Sequence, residues 1–184
     1  MPSRAIDNTE FVAFDLETTG LSPIMHRIVE IAAVRFRGDG QELARYQQLI
    51  DPEVDIPAEA TDIHGITNRL VRGQPKIEHG LLMLSEFVGN SPSILVAHNA
   101  AFDLGFLSVA YALAGRAPPP QAILDSWDIA KARLPHSRNH KLATLGKQLG
   151  ISLTNTHRAL GDCLLLQEVL LRLLQQRPRI KTLS

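Results

Sequence analysis

The stretch Phe11-Val-Ala-Phe-Asp15-Leu-Glu17-Thr-Thr-Gly20 is an apolar run that carries two carboxylates and ends at a glycine. Because successive side chains of a strand point to opposite faces of a sheet, Asp15 and Glu17 are predicted to share one face. Two acids side by side on a buried strand repel each other, and a divalent cation would relieve that repulsion. The alternative is an edge strand whose two acids are solvated.

Strand and helix signals alternate along the rest of the chain. Apolar or β-branched runs bounded by turn residues predict further strands at 27–37, 42–50, 93–97 and 122–125. Apolar periodicity and helix-ending residues predict helices at 58–63, 77–88, 100–114, 126–133, 142–149 and 159–176. Asn99 is predicted to cap the helix that begins near residue 100. The order β-β-β-α-β-α-β-α predicts an α/β domain whose sheet joins an antiparallel meander to parallel strands.

Composition indicates an ordinary globular protein with one domain over residues 1–184. Hydrophobic residues make up 45% and charged residues 21% of the sequence. The 19 basic and 19 acidic residues cancel, so no overall field draws the chain to nucleic acid or membrane. The N-terminus has no signal-like apolar segment, and no apolar run reaches about 18 residues. We therefore predict a cytoplasmic protein that does not bind a membrane.

The last predicted helix carries the only cysteine and a wide apolar stripe. Cys163 excludes an internal disulfide and is predicted to be a buried structural thiol. Leu166 and Leu171 widen the stripe beyond a simple core face. A dimer or partner contact would explain them, and so would single exposed leucines, which are normal on protein surfaces.

Positive charge is concentrated in one part of the chain. No acidic residue occurs between Asp128 and Asp162, and that interval contains six basic residues: Lys131, Arg133, Arg138, Lys141, Lys147 and Arg158. Two interpretations stay open. The residues form a solvated basic face, or they guide the phosphate backbone of a single strand towards a site near His157.

Four acids stand out by their position. Asp15 and Glu17 lie on the first strand, Asp103 lies about one turn into a helix, and Asp162 lies in the first turn of the last helix, where the helix dipole favours a carboxylate. His157 precedes Asp162 by about 500° of helix, so the two could not share a helical face. His157 is therefore predicted in the preceding loop. Oxygen ligands suit Mg²⁺ or Mn²⁺, and the lack of a Cys cluster or paired histidines argues against structural zinc.

Five sequence blocks occur in order over nearly the whole chain: Phe14-Asp-Leu-Glu-Thr-Thr-Gly-Leu21, Ile63-His-Gly-Ile-Thr67, Val96-Ala-His-Asn-Ala-Ala-Phe-Asp-Leu-Gly-Phe106, His140-Lys-Leu142 and His157-Arg-Ala-Leu-Gly-Asp162. Together they resemble the DEDDh (DnaQ-like) family of 3′-5′ exonucleases, which includes the proofreading epsilon subunit of bacterial DNA polymerase III. The resemblance implies a ribonuclease H-like α/β fold, with a mixed five-stranded sheet flanked by helices.

The resemblance also implies a set of catalytic residues. Asp15, Glu17, Asp103 and Asp162 would hold two divalent cations, Mg²⁺ or Mn²⁺, and His157 would be the general base. Two such cations can activate a water and stabilise the leaving 3′ oxygen, while the histidine takes the proton of the water. The implied product is a nucleoside 5′-monophosphate.

Five further residues match family positions that contact the substrate. The resemblance implies that Thr18 and Leu21 hold the terminal sugar and wedge against the last bases. It implies that His64, His98 and Phe102 line the nucleotide pocket. Phe102 and Leu21 could equally be core residues, and His98 could be a buried histidine whose hydrogen bonds are satisfied within the protein.

We predict a metal-dependent 3′-5′ exonuclease that acts on single-stranded DNA or frayed DNA 3′ ends. One alternative is an RNA-trimming exonuclease, whose pocket would admit the 2′-OH. Another is an interaction module associated with a DNA polymerase. The chain ends at residues 179–184, soon after the last predicted helix and without the long extension by which the epsilon subunit attaches to its polymerase. We therefore expect a freestanding enzyme.

Overall fold

The computed structural model describes residues 6–90, 92–152 and 157–175, and within them five strands form one sheet. The strands are β1 (Glu10–Thr18), β2 (Ile28–Arg37), β3 (Glu42–Leu49), β4 (Ile94–Ala97) and β5 (Ile123–Asp125). They lie in the order β3-β2-β1-β4-β5. β1 to β3 pair antiparallel, whereas β1, β4 and β5 run parallel. The predicted mixed five-stranded sheet is confirmed.

The helices surround this sheet at nearly the predicted places. They are α1 (Ala58–His64), α2 (Asn68–Val71), α3 (Ile77–Val88), α4 (Ala101–Leu113), α5 (Ser126–Arg133), α6 (Leu142–Gln148) and α7 (Ala159–Gln175). Helix α2 was not predicted, because four residues are too few to show a periodicity. Gln176, the predicted end of the last helix, lies outside the described residues. No helix in the described ranges is long and apolar enough to cross a membrane.

The central strand β1 separates two hydrophobic layers. Val12, Phe14 and Leu16 pack against α3 and α4 on one face of the sheet. Phe11 and Ala13 pack against α7 on the other face. Because side chains alternate along a strand, Asp15 and Glu17 continue the α7 face towards the end of β1. The fold therefore delivers both acids to the place where α7 begins.

The wide apolar stripe of α7 is buried against other elements of the same chain. Leu166 and Leu171 are 1% and 8% exposed, and both belong to the layer between α7 and the sheet. Both explanations, a partner contact and single exposed leucines, are therefore wrong, since several elements of the chain cover this helix at once. Cys163 is fully buried in the same layer, with its thiol 3.5 Å from the carbonyl oxygen of Ala32.

The predicted N-cap at Asn99 is also wrong. Asn99 has a left-handed backbone (φ 63°), and the capping position is Ala100, whose side chain makes no capping bond. The backbone amides of Asn99 and Ala100 instead donate to the Asp125 carboxylate over 3.0 and 2.9 Å. The amide of Trp127 donates to the same carboxylate, over 2.9 Å. A carboxylate at the end of the neighbouring strand thus fixes the start of α4, and with it Asp103.

Candidate active site

Three carboxylates meet where β1 ends and α7 begins. Asp15, Glu17 and Asp162 each offer one oxygen, and these oxygens lie within 4.8 Å of one another. All three side chains are half-buried. Asp15 and Glu17 come from the shared face of β1, and Asp162 comes from the first turn of α7. We call these three residues the acidic cluster.

Asp103 lies beside the acidic cluster. It is the third residue of α4 and is 3% exposed. Its carboxylate accepts hydrogen bonds from its own backbone amide and from that of Leu16, the residue between Asp15 and Glu17. β4 pairs with β1 only as far as Ala13, so Asp103 contacts the part of β1 that extends beyond its parallel neighbour. The four predicted acids are therefore brought to one end of the sheet.

Burial raises the pKa of every one of these acids, and the charges of neighbouring acids in the site raise the pKa of Asp15 and Glu17 further. Burial, followed by the charges of Asp103 and Glu17, raises the pKa of Asp15 well above its ordinary value. Burial, followed by the charge of Asp162, raises the pKa of Glu17 to about 8. Burial also raises the pKa of Asp103 to about 7, and burial raises the pKa of Asp162 against the lowering effect of His157. Without a counter-charge these carboxyl groups resist ionisation. A divalent cation would supply the missing positive charge.

His157 lies in the segment just before α7, as the spacing from Asp162 predicted. Its side chain is exposed, and its backbone is left-handed, with φ at 70°. Its backbone amide donates to Oδ2 of Asp162 over 3.2 Å. A left-handed conformation is unfavourable for a residue with a Cβ, so this hydrogen bond helps to hold the segment in place. The backbone of His157 is thus bonded to one member of the acidic cluster.

Glu30, on β2, is a site residue that the sequence analysis missed. It pairs across the strands with Glu17, so the two side chains lie on the same face of the sheet. Glu30 is 0% exposed and binds the guanidinium of Arg158. A single acid within the apolar run Ile28–Phe36 was the available signal. Arg158 is consequently paired with a buried acid, although its own side chain remains 38% exposed.

Thr18 and His64 form a buried wall next to the cluster. Thr18 is 8% exposed, and its hydroxyl donates to the carbonyl oxygen of Gly20 over 2.7 Å. His64 is 4% exposed, and its Nδ1 accepts from the amide of Ile66 over 3.0 Å. Its Nε2, which must then carry the proton, lies 3.3 Å from the carbonyl oxygen of Thr18. Burial lowers the pKa of His64, which favours the neutral ring that this pattern of hydrogen bonds requires.

His98 also has both ring nitrogens engaged by the protein. Nδ1 lies 2.8 Å from the hydroxyl of Ser126, and Nε2 lies 2.7 Å from the carbonyl oxygen of His140. This geometry favours the alternative of a satisfied histidine over a direct hydrogen bond to a nucleotide. It also attaches the loop around His140 to the end of β4.

Phe102 and Leu21 differ in their exposure. Phe102 is half-buried, packs against the core and lies with its ring centroid 5.1 Å from that of Phe106. Leu21, in the loop directly after β1, is 83% exposed. Leu21 is therefore not a core residue, and of the five predicted substrate contacts it offers the most accessible side chain.

Comparisons with known proteins agree with this geometry. The sequence pattern of the exonuclease family RNase_T matches residues 12–170. The PolC-type DNA polymerase III of Clostridium perfringens is 41% identical over 161 residues, which are 88% of this chain and 11% of that protein. The chain thus spans about a tenth of the length of the curated relatives that it matches.

Two solved structures share the fold. Exonuclease X in complex with 5′-overhanging duplex DNA has a TM-score of 0.72 and 27% identity, and the match covers 89% of this chain and 90% of that one. E. coli exonuclease I in complex with a dT13 oligonucleotide has a TM-score of 0.81 and 19% identity, with 94% of this chain and 42% of that one covered. The ribonuclease H-like fold and the resemblance to DnaQ-like exonucleases are confirmed. The chain belongs to the exonuclease family that the RNase_T pattern defines.

Proposed function

We propose that the protein hydrolyses the last phosphodiester bond at the 3′ end of single-stranded or frayed DNA and releases nucleoside 5′-monophosphates. The observation that carries this proposal is the acidic cluster, whose three oxygens lie within 4.8 Å of one another. Asp103 is held against the same strand, and His157 is bonded to Asp162. One end of the sheet therefore combines cation ligands with an exposed proton acceptor.

The chemistry of the donor set fits two hard divalent cations, Mg²⁺ or Mn²⁺. Asp15, Glu17 and Asp162 would hold them, with Asp103 beside the three. All donors are carboxylate oxygens, which suit these ions. Bound there, the cations would activate a water and stabilise the leaving 3′ oxygen. The raised pKa values of Asp15 and Glu17 support the assignment, because a cation would supply the positive charge that the buried acids lack.

His157 would act as the general base. Its imidazole is exposed at the mouth of the site, where it can accept the proton of an attacking water. The hydrogen bond from its amide to Asp162 ties its position to the acidic cluster. Of the other predicted contacts, Leu21 would meet the last bases, and Thr18, His64, His98 and Phe102 would shape the pocket wall.

The nature of the substrate rests on the relatives. The exonuclease X match, at 27% identity and 90% coverage of that chain, is a complex with DNA. This favours DNA, and no comparable observation favours the RNA-trimming alternative. The PolC-type relatives support a second candidate setting, in which the chain works together with a DNA polymerase. We further propose a single exonuclease domain over residues 1–184 and a cytoplasmic location.

Substitutions of Asp15, a member of the acidic cluster, and of His157 test the proposed reaction. We expect Asp15→Asn to lower kcat at least about 1,000-fold, because cation stabilisation of the transition state is worth several kcal/mol and each 1.4 kcal/mol is tenfold. We expect His157→Ala to lower kcat about 100- to 10,000-fold. The measurement is the shortening of a 5′-labelled DNA strand with Mg²⁺ or Mn²⁺, beside a matched RNA strand.

Asp128→Asn is the control for this assay, because Asp128 lies on the surface with its side chain 75% exposed. It should cleave like the wild type. Unchanged shortening by Asp15→Asn would overturn the proposal, and so would a wild type that shortens neither strand. Faster cleavage of RNA would replace DNA as the proposed substrate.

The pH dependence of stability tests the cation site without a substrate. Folded Glu17 keeps its proton up to a pKa of about 8, whereas unfolded Glu17 loses it near the ordinary value of 4.5. Between these values the folded state binds more protons, so the free energy of unfolding of the cation-free protein should fall as pH rises. Mn²⁺ should raise Tm more at about pH 8 than at about pH 5, because binding must displace those protons.

The Glu17→Gln variant isolates the contribution of Glu17 to the pH dependence of stability and to Mn²⁺ binding. In EDTA at about pH 8 it should have a higher Tm than the wild type, because it lacks the ionisable group whose ionisation burial opposes. It should also lose most of the Tm increase that Mn²⁺ causes. Thermal unfolding followed by circular dichroism provides both values. If Glu17→Gln reproduced the wild-type dependence on pH and Mn²⁺, Glu17 would not be a cation ligand.

Three exposed basic residues remain as candidates for binding the DNA backbone. Arg138, Lys141 and Lys147 are exposed. Of the other three basic residues, Arg133 is half-buried, Lys131 pairs with Asp128 and Arg158 pairs with Glu30. The hydrogen bond between His98 and the carbonyl of His140 holds the loop of Arg138 and Lys141 at the end of β4, which is also the end of the sheet that carries the acidic cluster. These residues could therefore guide a strand into the site.

Charge reversal tests whether Arg138 and Lys141 bind the DNA backbone. Arg138→Glu combined with Lys141→Glu should weaken oligonucleotide binding more at low than at high salt. The slope of log K against log salt should become shallower by about 0.7 for each phosphate that the variant no longer neutralises. The control is Arg37→Glu combined with Arg45→Glu, which makes the same charge change at β2 and β3, away from the acidic cluster. If the two double variants weakened oligonucleotide binding equally, the effect would be one of overall charge, and Arg138 and Lys141 would belong to a solvated basic face.

A further inference from the structure

The carboxylate of Glu30 accepts four hydrogen bonds. Oε1 accepts from Nη2 of Arg158 over 2.5 Å and from Nε2 of Gln47 over 2.9 Å. Oε2 accepts from Nε of Arg158 and from the amide of Ala159, each over 3.1 Å. A carboxylate has about four lone-pair sites, so this fully buried group has none left for a cation. Glu30 thus differs from its cross-strand neighbour Glu17, whose oxygen belongs to the acidic cluster.

The partners of Glu30 belong to the segment that carries two proposed catalytic residues. Arg158 directly follows His157, and Ala159 is the first residue of α7. The first amides of a helix have no partner within the helix, and Glu30 supplies one for Ala159. Asp162 lies one turn further along and accepts from the amide of His157. The start of α7 is therefore fixed to β2 by Glu30.

The pair also determines the charge beside the cluster. An unpaired Glu30 would add a buried negative charge next to Glu17. The bidentate contact with Arg158 balances that charge. Burial, followed by the charges of Asp162 and Glu30, raises the pKa of Glu17, and the Arg158 guanidinium offsets part of this rise. Arg158 thus favours ionised Glu17 while its Nε and Nη2 groups donate to Glu30.

We propose that Glu30 and Arg158 are positioning residues of this site: their ion pair places the segment from His157 to Asp162 over Asp15 and Glu17, and it keeps Glu30 from competing for the cation. This inference rests on the proposed exonuclease function. Neither residue touches the reacting atoms. Both act through the geometry and charge of the acidic cluster.

A second ion pair of β2 provides a matched control. Arg35 pairs with Glu10, with side chains 14% and 30% exposed, and it also donates to the carbonyl oxygens of Phe87 and Val88 at the end of α3. This pair lies at the opposite end of β1 from the acidic cluster. Its loss should lower stability without changing cation binding. A purely structural role for Glu30 and Arg158 would produce the same result.

The test compares Glu30→Gln, Arg158→Met and Arg158→Lys with Arg35→Met. Mn²⁺ affinity is measured by calorimetry without substrate, kcat and KM are measured on a DNA oligonucleotide, and Tm is measured for each variant. We expect Glu30→Gln and Arg158→Met to weaken Mn²⁺ binding and lower kcat about 10- to 100-fold, as loss of groups that orient metal ligands does. KM for the oligonucleotide should change little, because the DNA contacts stay in place.

Arg158→Lys should lie between these variants and the wild type, since an ammonium keeps the charge but loses the bidentate geometry. Arg35→Met should lower Tm and keep the wild-type Mn²⁺ affinity and kcat. If Glu30→Gln and Arg158→Met did not fold, Arg158→Lys would decide, because it leaves no unpaired buried charge. Wild-type Mn²⁺ affinity and kcat in Arg158→Lys and in every folded variant of the pair would overturn the inference. A wild type that neither binds Mn²⁺ nor shortens DNA would instead overturn the proposed function.

Discussion

Repulsion among buried carboxylates is the constraint on which the site depends. Strand alternation places Asp15 and Glu17 on one face, and α7 adds Asp162 within 4.8 Å. Burial and the neighbouring charges raise the pKa of Glu17 to about 8, so the folded protein resists ionising the group. A folded chain tolerates such an arrangement when a cation can neutralise it. The nearby Glu30 differs from these acids, because it is ion-paired with Arg158.

The sheet brings residues from distant parts of the chain together at the candidate active site. β1 is the central strand and extends beyond its parallel neighbour β4, which exposes its last residues to the starts of α4 and α7. Asp125 fixes the start of α4 by accepting the amides of Asn99 and Ala100. Glu30 fixes the start of α7 in a similar way, by accepting the amide of Ala159. The two helices that carry Asp103 and Asp162 are thus each anchored by a carboxylate from a strand.

Much of this fold could be predicted from local patterns. The period of two in residues 11–17 gave the faces of β1, and the spacing of His157 from Asp162 placed the histidine before the helix. The errors and omissions involve contacts between residues far apart in the sequence. The cap of α4 comes from 26 residues away, which is why Asn99 was chosen wrongly. The partner of Glu30 lies 128 residues away, and no periodicity reveals such a contact.

The histidines also show what can be predicted from nearby sequence and what depends on contacts between distant residues. His64 and His98 lie in recognisable sequence blocks, yet the partners of their ring nitrogens depend on how the elements pack. A sequence block therefore identified the residue, whereas its hydrogen-bonding state required the fold. The same holds for the basic residues, since only the packed structure separates Arg158, which is bound to Glu30, from the exposed Arg138 and Lys141.

The central claim is that a cation completes the acidic cluster. The most direct measurement is the anomalous scattering of Mn²⁺ in crystals of the wild-type protein. The account predicts a peak at coordination distance from oxygens of Asp15, Glu17 and Asp162, with Glu30 still bound to Arg158. A well-ordered site without Mn²⁺ at saturating concentration, or Mn²⁺ bound by Glu30 with Arg158 displaced, would contradict it.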